Sequence, residues 1–86
     1  MTAVAIHIEV ASEDAITRAW RRSMELYQRA LIAEADAHDA EAEAYELELL
    51  LVTDPHTIER LERYARTLRE LAQHNRTMAK GERDGL

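Results

Sequence analysis

The chain of 86 residues has no cysteine, no phenylalanine, one proline and two glycines. Without cysteine it forms no disulfide and offers no thiolate to a metal ion. No apolar run approaches the roughly 20 residues that a helix needs to cross a bilayer. The first residues lack the basic start and long apolar core of a secretory signal. These absences predict a cytoplasmic protein with no membrane segment.

Basic residues are also missing over one long stretch, because no lysine or arginine lies between Arg29 and Arg60. Residues 1–30 hold four acids and four arginines, residues 31–55 eight acids and no base, and residues 56–86 seven bases and five acids. An acidic block followed by a basic block predicts that the two pair in a hairpin, with an acidic docking surface as the competing interpretation.

What is present favours two helices. Ser12 is a suitable N-cap, and no glycine or proline follows until Pro55, which predicts a first helix from residue 13 to Val52. Asp54 and Pro55 suit the start of a second helix ending near residue 80. Because the turn is short, the helices must run antiparallel. The register predicts three ion pairs, Glu41–Arg66, Asp39–Arg69 and Glu48–Arg60.

The ends of the chain have a different pattern. Residues 1–11 alternate apolar and polar side chains, as a strand does, and such a strand needs a second copy or a partner's sheet edge. A frayed tail would show the same pattern. The expected organisation is therefore a strand-like segment over 1–11, a helical hairpin domain over 12–80 and a disordered tail over 81–86.

Small residues recur in the first helix at steps of four and three, the spacing of a seam that packs closely against another helix. A similar seam on the second helix would complete the dimer or core contact. It includes the polar Asn75, which could fix register or oligomeric state. These seam residues are Ala30, Ala33, Ala37, Ala40, Ala44 and Leu47, with Leu61, Leu68 and Asn75. A second apolar stripe beside the alanine seam would widen this face; it comprises Ile16, Trp20, Met24, Tyr27, Leu31, His38, Tyr45, Leu49 and Val52.

The first helix is longer than the second by about 16 residues, which leaves Glu13 to Gln28 without a partner in the chain. The apolar side chains there need a cover, and a second copy would supply it. The predicted fold is all-α, an antiparallel hairpin of one long and one shorter helix that dimerises into a four-helix bundle.

The predicted function is non-enzymatic, because no phosphate-binding glycine loop, catalytic triad order or metalloprotease motif occurs. We expect a small interaction protein that regulates or inhibits a protein partner, as an adaptor, an antitoxin-like protein or a phage- or plasmid-type inhibitor. No cofactor is expected. The predicted partner contacts, which include residue types common at binding hot spots, are Trp20, Arg21, Arg22, Met24 and Tyr27.

A metal-binding bundle is a competing hypothesis. Glu34, His38 and Glu41 share a helical face and could ligate a divalent ion. Their order, however, reverses the Glu-x-x-His motif of di-iron bundles, and the facing helix offers arginines instead of ligands. A polar break in the seam is the simpler interpretation, so no metal is predicted.

Two further hypotheses involve nucleic acid. A DNA-binding accessory protein or repressor would use the N-terminal segment and the arginines between Arg18 and Arg29. A ribbon-helix-helix protein would need a turn near residues 27–31, and the net charge of −6 opposes phosphate binding. An acidic mimic of nucleic acid would instead display residues 34–48 unpaired.

Overall fold

A computed structural model of the chain describes residues 12–84, and side chains over 12–81. It contains helix α1, Glu13–Glu48, and helix α2, Pro55–Asp84, packed as an antiparallel hairpin. The expected all-α hairpin is thereby confirmed. The strand-like segment over residues 1–11 lies outside the described residues.

Capping groups fix where the helices begin. The Ser12 hydroxyl oxygen accepts a hydrogen bond from the Ala15 N–H at 3.2 Å, and Glu13 and Asp14 place negative charge in the first turn of α1. At α2, the Asp54 carboxylate accepts bonds from the N–H and hydroxyl of Thr57, at 2.9 and 2.8 Å.

Both helices end at different places from those predicted. Helix α1 stops at Glu48, four residues before Val52, and the chain then turns through Leu50 and Leu51. Helix α2 continues through Gly81 to Asp84, into the segment expected to be a disordered tail. One glycine costs a helix only about 1 kcal/mol, which does not end it when neighbouring residues favour helix.

Three contacts define the register of the hairpin. The Gln28 side-chain amide donates to the Ala79 carbonyl oxygen at 2.7 Å, and the Asn75 amide donates to the Leu31 carbonyl oxygen at 3.3 Å. Near the turn, the ring centroids of Tyr45 and Tyr64 lie 5.5 Å apart. The hairpin is elongated, with extents of 70 × 28 × 14 Å.

The core is a single seam between the two helices, and it is built mainly from small residues. Helix α1 contributes buried Leu31, Ala35 and Ala42. Helix α2 contributes buried Leu61, Ala65, Ala72, Asn75 and Ala79. Half-buried side chains on the same seam are Met24, Gln28, His38 and Tyr45 of α1, Leu49 of the following turn, and Ile58 and Leu68 of α2. Alanine at these positions lets the helix axes approach closely, so the hairpin is tight but its core is thin.

The alanine seam identified in the sequence is not this core. Ala30, Ala33, Ala37, Ala40 and Ala44 are all exposed. At about 100° per residue, their stripe lies roughly 160° around α1 from the core seam, not beside it. Both stripes have four-three spacing, so spacing alone could not show which one faces α2.

The length mismatch is also smaller than expected. Since Gln28 lies opposite Ala79, the end of α2 reaches about residue 23 of α1. Only residues 13–22, here called the overhang, extend past α2, by about 15 Å. On the side of the overhang that continues the core seam stand Asp14, Thr17 and Arg21, which are polar and require no covering helix.

The thin core predicts sensitivity to added volume. Ala72→Leu should lower the free energy of unfolding by about 1–3 kcal/mol, because Ala72 is fully buried against α1. The matched control Gln73→Leu places the same side chain at the adjacent exposed position, where we expect a change within about 0.5 kcal/mol. Urea unfolding followed by circular dichroism measures both. Equal effects of the two substitutions would contradict the core assignment.

Candidate protein-binding site

Helix α1 carries a second apolar surface on the side away from α2. This outer face consists of exposed residues at steps of three and four over almost the whole helix: Ile16, Ala19, Ser23, Leu26, Ala30, Ala33, Ala37, Ala40, Ala44 and Leu47. It is not only a run of small residues, because Ile16 is 48% exposed, Leu26 49% and Leu47 56%. The prediction of one broad apolar face was wrong, since it merged these positions with part of the core. The two sets of positions are distinguished by the angle of roughly 160° between their stripes around α1.

The two edges of the outer face change character along the helix. One edge begins with Trp20 and Tyr27, which are 67% and 49% exposed. It continues, at steps of seven, with Glu34, Glu41 and Glu48. The other edge consists of Arg22, Arg29, Asp36 and Glu43. The N-terminal half of the face is therefore bordered by aromatic and basic side chains, and the C-terminal half by acids.

The five predicted partner contacts do not form one patch. Trp20 and Arg22 lie on opposite edges of the outer face, whereas Arg21 points to the side that α2 occupies further along the helix. Met24 is half-buried and belongs to the core seam, and Tyr27 follows Trp20 on the same edge. The prediction that these residues bind a partner remains a prediction.

The predicted seam residues of α2 do lie against α1. Leu61 and Asn75 are buried, and Leu68 is half-buried. The Asn75 amide is directed at a carbonyl oxygen of α1, which joins the helices at one register. A role in oligomeric state is not tested by this contact.

Part of the acidic block is paired with α2. Arg69 bonds to Asp39 at 3.0 Å and also to Glu46, and Arg76 bonds to Asp36 at 2.9 Å and to Asp39 at 2.6 Å. The Asp39–Arg69 pair follows the predicted register. Within the described chain, no ion pair joins Glu41 to Arg66 or Glu48 to Arg60.

These contacts shift the ionisation of the paired groups. The hydrogen bond from Arg76 is the largest effect that holds the pKa of Asp39 below its usual 3.8. Desolvation opposes it, and the hydrogen bond from Arg69 and the positive charges of both arginines lower the pKa further. The bonds from Thr57 lower the pKa of Asp54 in the same way. Arg69 and Arg76 in turn have a raised pKa, mainly through Glu46 and Asp36 respectively.

The metal candidates do not converge. The His38 Nε2 atom lies 3.3 Å from a Glu34 carboxylate oxygen, but Glu41 joins neither of them in any bond among the described residues. Over the described part of the chain, no group of three histidine or acidic side chains could hold a metal ion.

Two shallow grooves lie along the interface of the helices. One, of about 300 Å³, is lined by Gln28, Ile32, Arg76, Ala79 and Lys80. The other, of about 380 Å³, is lined by Glu41, Tyr45, Arg63, Tyr64, Thr67 and Leu68. Neither lining pairs a nucleophile with a base in a bonded arrangement, and both grooves are open to solvent.

Comparisons with protein-family models, with curated proteins and with solved structures find no match. Neither described helix is long and apolar enough to span a membrane.

The arginine contacts of Asp39 generate a pH prediction. A carboxylate whose pKa is lowered by folding contributes stability above its unfolded pKa, and this contribution disappears as pH falls through the folded value. The urea midpoint should therefore decrease as pH falls from about 5 to below 3.8, and the decrease should be smaller for Asp39→Asn. Glu62→Gln removes an exposed acid that makes no ion pair in the described chain, and it should leave the pH profile unchanged. Identical profiles for wild type and Asp39→Asn would refute this.

Proposed function

We propose that the chain is a non-enzymatic, dimeric interaction protein that binds another protein and acts as an adaptor, regulator or inhibitor. The observation that carries this proposal is the outer face, an exposed apolar surface that runs along α1 on the side opposite α2. A helix with two apolar faces has more packing surface than one hairpin partner can cover.

A catalytic role receives no comparable support. Among the described residues, the ionisable groups with shifted pKa values are Asp39, Asp54, Arg69 and Arg76, and each is explained by a contact between the helices or by a helix cap. Shifted groups that serve structure do not indicate an active site.

The overhang is the candidate contact for the protein partner. Arg21 stands on its α2-facing side and Arg18 on the adjoining flank, and both precede residue 23, which lies opposite the end of α2. Neither arginine makes an ion pair with a side chain that the structure describes. Arginine is enriched at binding hot spots because its planar head bonds to carboxylates in a fixed geometry. We therefore propose a partner that presents acidic side chains to the overhang.

A nucleic acid is the second candidate, and one observation favours it. Arg18, Arg21, Arg22 and Arg29 fall within about 100° of one another around α1 and form a basic sector. Helix α1 is continuous through residues 27–31, so the turn of a ribbon-helix-helix protein does not occur there. The net charge of −6 also restricts phosphate attraction to this end.

An acidic mimic of nucleic acid is less well supported, because Arg69 and Arg76 form ion pairs with Asp36, Asp39 and Glu46.

Site-specific photo-crosslinking in the native host tests the proposal. A benzophenone amino acid replacing Thr17 stands in the overhang beside Arg18 and Arg21, and the same replacement at exposed Thr67 of α2 is the matched control. We expect one protein to crosslink at position 17 and not at 67, and Arg21→Glu to reduce that product by about tenfold or more. A nucleic-acid adduct at position 17 would establish the second candidate instead. Products that are the same at both positions, or unaffected by Arg21→Glu, would contradict the proposed contact.

A further inference from the structure

From the outer face of α1 and its borders we infer that the occupant of this face is a second copy of the chain, lying antiparallel. The proposed function includes a dimer, and this inference specifies how its two chains are arranged. It therefore rests on the dimeric part of that proposal. The residues of the outer face are self-complementary in both shape and charge when the helix is paired with an inverted copy of itself.

Shape complementarity appears in the layers that the inverted pairing creates. If Ala30 faces the partner's Ala33, the same register places Leu26 against the partner's Ala37 and Ile16 against the partner's Leu47. The centre of the interface then consists of alanines, and each central leucine meets a small residue. The paired length runs from residue 16 to residue 47, or about 48 Å of helix.

Charge complementarity selects the direction and register. In this pairing Arg22 lies beside the partner's Glu43, and Arg29 lies beside the partner's Asp36. The two-fold axis repeats each contact, so four arginine–carboxylate pairs border the interface on the edge that carries the arginines. Asp36 keeps its bond to Arg76 in the hairpin, but its side chain is 69% exposed and has room for a second arginine.

The other edge is compatible with the same arrangement. Trp20 lies beside the partner's Glu41, and Tyr27 lies beside the partner's Glu34, so ring N–H and hydroxyl donors meet carboxylates. Glu13 and the partner's Glu48 are the closest like charges on this edge, and they lie at the solvated ends of the interface.

A parallel pair would be unfavourable. It would place the acidic C-terminal half of one α1 directly along the acidic half of the other, with Asp36 beside the partner's Glu41 and Glu43 beside the partner's Glu48. No lysine or arginine between Arg29 and Arg60 could relieve that repulsion from within the same stretch.

The resulting assembly differs from a closed four-helix bundle. In such a bundle each helix directs one broad apolar face towards a shared core. Here the two apolar faces of α1 are roughly 160° apart, so the order of helices is α2, α1, α1 of the partner, α2 of the partner, in a row. The α2-facing side of the overhang, with Arg21 and the adjoining Arg18, stays open in this row.

Disulfide trapping tests the direction and register of the two paired α1 helices. Because the chain has no cysteine of its own, only the introduced cysteines can form a disulfide. Ala19→Cys and Ala44→Cys are conservative exposed changes that the inverted pairing brings opposite each other. Under mild oxidation, the mixture of the two variants should form a crosslinked heterodimer, and each variant alone should remain uncrosslinked. Rapid crosslinking of either variant alone would indicate a parallel pair and overturn the inference. Ala19→Cys mixed with Glu70→Cys, which is on α2, is the control and should not crosslink.

Charge reversal tests the bordering pairs independently. Arg22→Glu and Glu43→Arg should each weaken dimerisation by about tenfold or more in sedimentation equilibrium, because each change converts two attractive contacts into repulsive ones. The double variant Arg22→Glu/Glu43→Arg restores opposite charges and should recover the wild-type dissociation constant to within about threefold. Arg21→Glu makes the same charge change one residue away, on the α2-facing side, and should leave dimerisation unchanged.

The two proposals fail in different ways. A chain that stays monomeric at hundreds of micromolar, or a double variant that is weaker than both single variants, would overturn the antiparallel dimer. Either result would leave the crosslink at Thr17 and its dependence on Arg21 as a separate test of partner binding.

Discussion

The close approach of two alanine-lined helices is the constraint on which the rest of the structure depends. Ala35 and Ala42 of α1 meet Ala65 and Ala72 of α2 with almost no exposed surface. Small side chains allow tight packing but bury little apolar area per residue, so the hydrophobic contribution of one hairpin is limited. Arg69 and Arg76, the Asn75 amide and the Gln28 amide therefore determine the register as much as apolar packing does.

Much of the fold could be predicted because it depends on local signals. Ser12, Asp54 and Pro55 mark helix starts through capping and backbone geometry, and the short connection then requires an antiparallel return. The Asp39–Arg69 pair followed from that register. The helix ends were less predictable, because Gly81 is tolerated and Leu49 to Leu51 form a turn despite good helix propensity.

The candidate site was harder to predict, because a single sequence does not show which of two equally spaced stripes is buried. The stripe of Ala30, Ala33, Ala37, Ala40 and Ala44 looks like a core but is exposed. The polar His38 and Tyr45 face α2 instead. His38 and Tyr45 are covered because α2 packs on that side of α1 with Leu61, Leu68 and Asn75. Asp14, Thr17 and Arg21 continue the α2-facing side of α1 but are polar. Their polarity was the sequence signal that α2 does not cover the first turns of α1.

The short connection between Glu48 and Pro55 has a kinetic consequence. Because almost all contacts between the helices extend outward from this turn, the chain can form its hairpin by zipping from the Tyr45–Tyr64 ring contact towards Gln28 and Ala79. Each step closes only a small additional loop, so the entropic barrier stays low. Helical proteins with such local topology fold in microseconds to milliseconds, and this one should emerge from the ribosome as a folded hairpin soon after Ala79 is free.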